Sequence, residues 1–254
     1  MVATRRFLVA GALFLIASVT GAGADYYRGV KDLPTVAMQP ASWYVRGDFT
    51  YSWMDAEELF AATAPFTSRS IDSTWGLGGG IGTYFGRGVR GDVTVDWRAQ
   101  TDVHGRGGIT TDFSLESAVI LANLYYDFRP YERFTPYIGI GLGAAHHRTG
   151  SGVVLATCGG LPCAYDGGSN WTPAGALMAG FSFRVDGGHR APVSIKDVPV
   201  EQPGRLHIDV GYRFLYLGDA DTGGVIGVVN PTPGPRLEDI TAHEIRVGLR
   251  WDIR

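Results

Sequence analysis

From Glu244 to the last residues the chain alternates strictly. Ile245, Val247, Leu249, Trp251 and Ile253 fall on one side, and Glu244, Arg246, Gly248, Arg250 and Asp252 on the other. A period of two, with charge on one face and grease on the other, marks a strand lying between two unlike media. In a water-soluble sandwich the charged face would meet solvent and the apolar face a core. In a barrel that crosses an outer membrane the apolar face meets lipid and the charged face lines a closed interior.

The rest of the chain decides between the two. Trp43 begins the first alternating stretch: Val45, Phe49, Tyr51 and Trp53 share its face, while Tyr44, Arg46, Asp48, Thr50 and Ser52 share the other. A second strand, Thr74 to Phe85, sets Trp75, Leu77, Ile81 and Phe85 against Gly76, Gly78, Gly80 and Gly82, and a Gly86-Arg87-Gly88 turn follows. The third sets Val93, Val95 and Trp97 against Arg90, Asp92, Thr94, Asp96 and Arg98. The fourth, about Leu115 to Phe128, sends Leu124, Tyr126 and Phe128 outward and Asn123, Tyr125 and Asp127 inward. The fifth runs from Thr135 to about Arg148, the sixth from Thr172 to Val185 and the seventh from Arg205 to Leu217; the seventh turns His207, Asp209 and Arg213 inward. These lengths suit tilted membrane strands, and an even count lets an up-and-down meander close on itself. The expected fold is all-β: an eight-stranded antiparallel transmembrane β-barrel. Long connections follow the odd strands, at Met54 to Ser73, a glycine-rich loop before Leu115, Thr149 to Asn170 and Gly218 to Asp239. Short ones follow the even strands, except for Asp186 to Gly204.

The tryptophans give an independent indication. Trp43, Trp53, Trp75, Trp97, Trp171 and Trp251 all fall at the ends of these strands. Indole rings prefer the membrane–water interface, so two aromatic girdles are expected.

The beginning of the chain reads as a secretory signal over residues 1–24: Arg5 and Arg6, an apolar run from Phe7 to Val19, and small residues at Ala22-Gly23-Ala24. Residues 25–42 form a periplasmic leader and 43–254 the barrel. Without Arg5 and Arg6, the 22 basic residues become 20 against 25 acidic ones, a net charge of −5 that argues against a nucleic-acid partner. Cys158 and Cys163 bracket Gly-Gly-Leu-Pro. In an exported protein they are expected to pair as a disulfide, with no further ligands nearby for a metal.

An eight-stranded barrel is just wide enough for its own side chains to fill. The expected lumen network comprises Arg46, Asp48, Arg90, Asp92, Asp96, Arg98, Asp209, Arg213, Glu244, Arg246, Arg250 and Asp252, six arginines facing six carboxylates. Paired charges can be held there where isolated ones cannot. The expected role of this network is a salt-bridged plug; a narrow ion path is the alternative. The inward glycines of the second and fifth strands leave room for the arginines. Gly139 to Ala144 fits a dinucleotide fingerprint on paper but lies within a strand, with no helix to follow, so no cofactor is expected. His146-His147, His207 and His243, with Ser151 and Glu244, raise a lipid A-modifying enzyme as a lesser alternative, but nothing in their spacing is diagnostic and no catalytic residues are assigned. Val95→Arg is expected to impair folding and Thr94→Arg to cost far less.

Four stretches resemble a known family: Trp43 to Asp48, Asn123 to Phe128, Thr135 to Gly141, and the pair Asp209 to Phe214 with Glu244 to Arg250. The chain resembles the small outer-membrane β-barrels grouped with the opacity proteins and the OmpA/OmpX-type barrels, often called porin-like surface antigens. The family's chains end in an assembly signal of polar, any, Gly, any, any, aromatic, any, aromatic. Arg246, Gly248 and Trp251 match it, and Ile253 stands where an aromatic is usual. The resemblance implies a Gram-negative outer-membrane protein that reinforces the envelope or presents loops for adhesion or recognition. Its expected partners are outer-membrane lipid and lipopolysaccharide, the assembly machinery, and host or surface ligands reached through the loops.

Overall fold

A computed structural model describes residues 43–253 apart from 62–63, 108–109, 129–132, 159–160, 186–205 and 227–231. The expected signal peptide and leader, residues 1–42, and the connection Asp186 to Gly204 lie outside the described residues. Thirteen strands and no helix occur among those described: β1 (Trp43–Asp55), β2 (Glu58–Ala61), β3 (Ala64–Pro65), β4 (Ser68–Ile71), β5 (Thr74–Gly86), β6 (Val89–Arg106), β7 (Thr110–Asp127), β8 (Phe134–Thr149), β9 (Gly152–Cys158), β10 (Leu161–Tyr165), β11 (Ser169–Val185), β12 (Leu206–Asp221) and β13 (Arg236–Ile253).

Eight of these build the wall. Each long strand pairs antiparallel with the next, and β13 returns to β1, from Trp43 opposite Ile253 to Asp55 opposite Thr241. The sheet therefore has no free edge along its membrane section, as burial in lipid requires. The alternation read from the sequence is the alternation of the wall. Val45, Phe49, Ile81, Val93, Ile140, Leu177, Val247 and Leu249 are all exposed on the outside, while Arg46, Asp48, Asp92, Asp209 and Arg246 are buried within. On β1 the span from Trp43 to Trp53 covers about 33 Å of strand at ~3.3 Å per residue. Tilted by about 40°, it gives a band of roughly 25 Å, the apolar height of an outer-membrane barrel.

The wall is taller than expected. The expected strands of ten to fourteen residues become strands of up to eighteen, because the connections at one end are themselves sheet. Met54 to Ser73 contains the end of β1 and all of β2, β3 and β4, with β2 paired to β13 and β4 to β6. The glycine-rich loop shrinks to the residues between Arg106 and Thr110. Thr149 to Asn170 carries the β9–β10 hairpin, and Gly218 to Asp239 is shortened as β12 runs to Asp221 and β13 begins at Arg236. Trp97 consequently is not at a strand end. It is the ninth residue of β6, and nine more residues rise beyond it, about 30 Å of strand.

Two irregularities mark where the barrel changes character. The β6–β7 register shifts between Arg98 and Thr101, and the β12–β13 register shifts around Gly218, which adopts φ 71°. A bulge adds a residue to one strand and so reverses which parity faces inward. Asp96 and Arg98 point in before the β6 bulge, and Thr101, Val103 and Gly105 after it. Beyond the bulges the interior is apolar: Met54, Leu59, Phe66, Val103, Phe113, Leu115, Val154, Tyr165, Leu217, Leu237 and Ile240 pack as one cluster.

Candidate functional site

The lumen has two storeys, and the lower one is ionic. Eleven of the twelve expected network residues are buried; Asp252 is only partly so, at the turn end. Period-two alternation on β1, β6, β12 and β13 aims them at one axis, and the cross-strand pairs set who meets whom. Asp48 accepts from Arg46 (Nη2–Oδ1 2.7 Å) and forms an ion pair with Arg246 (Nη2–Oδ2 3.0 Å). Asp96 accepts from Arg213 at 2.6 Å, and Arg213 donates in turn to Glu244 at 2.5 Å. Glu244 also accepts from Arg98 Nε at 2.8 Å. Asp92 joins the other end of this chain, accepting from Arg46 (3.1 Å), Tyr44 (3.0 Å) and Asn123 (2.7 Å). Cations and carboxylates alternate along it, so each buried charge has an opposite neighbour, the condition for holding ions away from water.

Two smaller groups complete the storey. Arg250 donates to Asp209 and Ser182 and to the Tyr84 hydroxyl, and Tyr84 donates to Asp252, which also contacts His207 at 3.3 Å. Arg90 pairs with Asp127 at 3.1 Å, and its guanidinium lies 4.1 Å from the Tyr125 ring centre and 5.1 Å from that of Tyr137. Tyr84 and Tyr137 were not singled out in the sequence. They sit at inward parity on glycine-rich strands, and parity was the signal available.

The inward glycines serve the carboxylates and rings more than the arginines. A Cβ on Gly78 would strike the Asp96 carboxylate, and one on Gly248 would strike that of Asp48. Gly248, expected as part of the C-terminal assembly signal, thus also has a packing reason to be glycine. Arg246 is committed to the lumen, while Trp251 and Ile253 face outward. Thr94 has no exposed surface and lies 3.1 Å from the Asn123 amide, so an arginine there would have to displace packed neighbours. The expectation of a cheap Thr94→Arg is therefore corrected.

The enzymatic alternative finds no support in its nominated residues. Ser151 is exposed, and Glu244 is occupied by Arg98 and Arg213. The serine that meets a histidine is Ser117, whose Oγ lies 2.9 Å from His147 Nδ1, while His147 Nε2 lies 2.9 Å from the Leu217 carbonyl. Donation to that carbonyl leaves Nδ1 to accept from Ser117. Both side chains are buried, so the pair fastens β7, β8 and β12 together where the storeys meet. Gly139, Gly141 and Gly143 lie within β8, followed by strand and not by helix.

On the outside all six tryptophans are exposed. Trp43 and Trp251 lie toward the turn end. Toward the loop end, Trp75 and Trp97 meet edge to face at 5.7 Å, Trp97 Nε1 donates to Glu116 at 2.6 Å, and Trp171 packs on His146 at 4.8 Å. Above this level the outer face of β6 and β7 carries a charged cluster: His104 and Arg106 both reach the Asp112 carboxylate at 2.7 Å. The hydrogen bond from His104, reinforced by Arg106, holds the Asp112 carboxyl below its ordinary range. Arg236 contacts Asp219 and Asp221 at the β12–β13 tip, beside a cleft lined by Phe60, Thr222 and Pro235. Cys163 is buried and disulfide-bonded. Among the described residues no cluster of His, Cys, Asp and Glu could hold a metal ion.

Uncharacterized proteins of Brucella abortus and Brucella suis are 26% identical over 88% of this chain and 88% of theirs. Among solved structures, the outer membrane protein OprG from Pseudomonas aeruginosa has a TM-score of 0.49 at 12% identity, covering 84% of this chain and 96% of its own. Neisserial surface protein A has a TM-score of 0.41 at 18% identity, covering 83% and 97%. The family described as outer membrane protein beta-barrel domain matches residues 10–251. With a closed eight-stranded wall, an apolar exterior band and an ionic interior in place, this chain belongs to that family of bacterial outer-membrane barrels.

Proposed function

We propose that this protein is a non-conducting structural barrel that stiffens the outer membrane and holds a rigid, sheet-built platform above it for contact with partners. The observation that carries this reading is the double filling of the lumen. Salt-bridged side chains occupy the membrane section, and an apolar core closes the loop end above them. An ion entering from the loop end would meet Val103, Leu115, Leu237 and Ile240, none more than 1% exposed. In this reading the long-connection end faces outward, as in outer-membrane barrels generally, and the tryptophans mark the two interfaces. A cleaved segment at residues 1–24 delivers the chain, lipid and lipopolysaccharide surround it, and the assembly machinery reads Arg246, Gly248, Trp251 and Ile253. Cys158 pairs with Cys163 to pin the β9–β10 hairpin. Catalysis is not part of the proposal, since the one Ser–His hydrogen bond among the described residues is buried on both sides.

Planar-bilayer recording with the folded chain tests the reading. Silence at all applied voltages is expected, and discrete ion-selective steps would overturn it in favour of a narrow channel. Unchanged lipid A mass spectra from cells with and without the protein are expected alongside.

A further inference from the structure

The platform has an apolar outward face that its own core does not use. Val154, Cys163 and Tyr165 point inward from β9 and β10 and are buried. Val153 and Ala164, their opposite-parity neighbours, are register partners and are exposed. The segment Gly224–Ile226 adds to the same sheet: Tyr165 bridges Val225, and Ile226 N donates to Ala164 O at 2.8 Å. Val225 therefore turns in toward the core, and Ile226 turns out. Val153, Ala164 and Ile226 form one exposed row across three strands, with Val153 46% and Ile226 52% exposed. The row continues onto Asp112, the register partner of Val153, and Asp166 lies two residues from Ala164. The Trp97 ring belongs to a level several residues lower, so hydrocarbon does not cover this row.

Charge selects the occupant. Residues 54–73, 100–117, 148–170 and 218–239 together hold twelve carboxylates, four arginines and no lysine, a net of −8. None of these carboxylates is buried. The lumen, by contrast, is nearly balanced. A surface with this field repels anionic lipid and polyanions and draws in cationic partners. Apolar row and acidic surround together fit a basic polypeptide strand or hairpin with alternating apolar and cationic side chains. We propose that Val153, Ala164 and Ile226, with Asp112 and Asp166 beside them, form a docking face for a basic polypeptide partner. The inference rests on the reading of the loop end as a platform and names the chemistry of what it holds. Rigidity favours it, because the face is backed by a packed core and loses little freedom on binding.

The test uses the full folded chain in neutral-lipid nanodiscs and a labelled synthetic peptide of alternating leucine and lysine. Binding that weakens with added salt is expected, and the same peptide with glutamate for lysine should not bind. The V153S/I226S variant changes only exposed positions, so its heat-modifiable gel shift should persist while its affinity for the lysine peptide falls about tenfold. Asp166→Asn, which leaves the contact of Asp112 with His104 and Arg106 in place, should weaken binding and flatten the salt dependence. Equal affinity in V153S/I226S, equal binding of the glutamate peptide, or capture of phosphatidylglycerol vesicles in place of the peptide would overturn the docking face. Bilayer recordings on the same preparation remain an independent readout. Silent bilayers with no peptide effect sink this inference alone, whereas conducting ones sink the plugged-platform reading.

Discussion

The two halves of β6 obey opposite rules. From Val89 to Arg98 the strand turns Val93, Val95 and Trp97 out and Asp92, Asp96 and Arg98 in; from Thr101 to Arg106 it turns Val103 in and Asp102 and Arg106 out. One continuous strand is thus a membrane strand at one end and a soluble-protein strand at the other. The same inversion runs along β13, where Leu237 and Ile240 point into the interior above and Glu244, Arg246 and Arg250 below. The medium outside decides which side takes the apolar residues, because hydrophobic burial favours whichever apolar environment is available. Below the upper tryptophans that environment is lipid. Above them it is the protein's own interior.

The most damaging way to probe the lower storey is to remove a shared carboxylate. Asp96→Ala would leave Arg213 with Glu244 alone and Arg246 with Asp48 alone, so two buried arginines would each lose one of their carboxylates, at a cost of about 3–5 kcal/mol. Urea unfolding in detergent, followed by tryptophan fluorescence, would register it; a cost under about 1 kcal/mol would mean the ion chain is not packed as described. In the upper storey Leu115→Ala should cost roughly 2–5 kcal/mol. Its effect should be local, so proteolysis should open the loop end while the heat-modifiable membrane section persists. Equal loosening of both ends would erase the division into storeys.

On the outer wall Val247→Arg, midway between the girdles and opposite Phe49, should cost about 2–4 kcal/mol. Val95→Arg should cost less, since Val95 lies two residues from Trp97 and a long side chain can reach the interface from there. A reversed order would misplace the upper girdle. The smallest effect concerns pH. Asp112 has a depressed carboxyl, so its contribution is present above the unfolded value of about 4 and is lost as pH falls through the lower folded value. Protease cleavage at the β6–β7 tip should rise in strong acid, and Asp112→Asn should show that rise already at neutral pH. Because Asp112 is exposed, the change is confined to the tip.

Local pattern alone determined the strand count, the closed antiparallel order and the inward parity of Arg46, Asp48, Arg90, Asp96, Glu244 and Arg250, since a side-chain period of two writes a barrel's two faces directly into neighbouring residues. The loop-end extension was written there as well, in Leu237 and Ile240 against Glu238 and Asp239, but its phase slips at the bulges near Gln100 and Gly218 and its polarity is inverted, so it read as loop. Tertiary structure alone decided that Asp96 is shared by Arg213 and Arg246, that Gly78 and Gly248 clear space for carboxylates, and that Ser117 meets His147. Those pairings join residues from strands far apart in sequence, and register and barrel closure, not local periodicity, bring them within hydrogen-bonding distance.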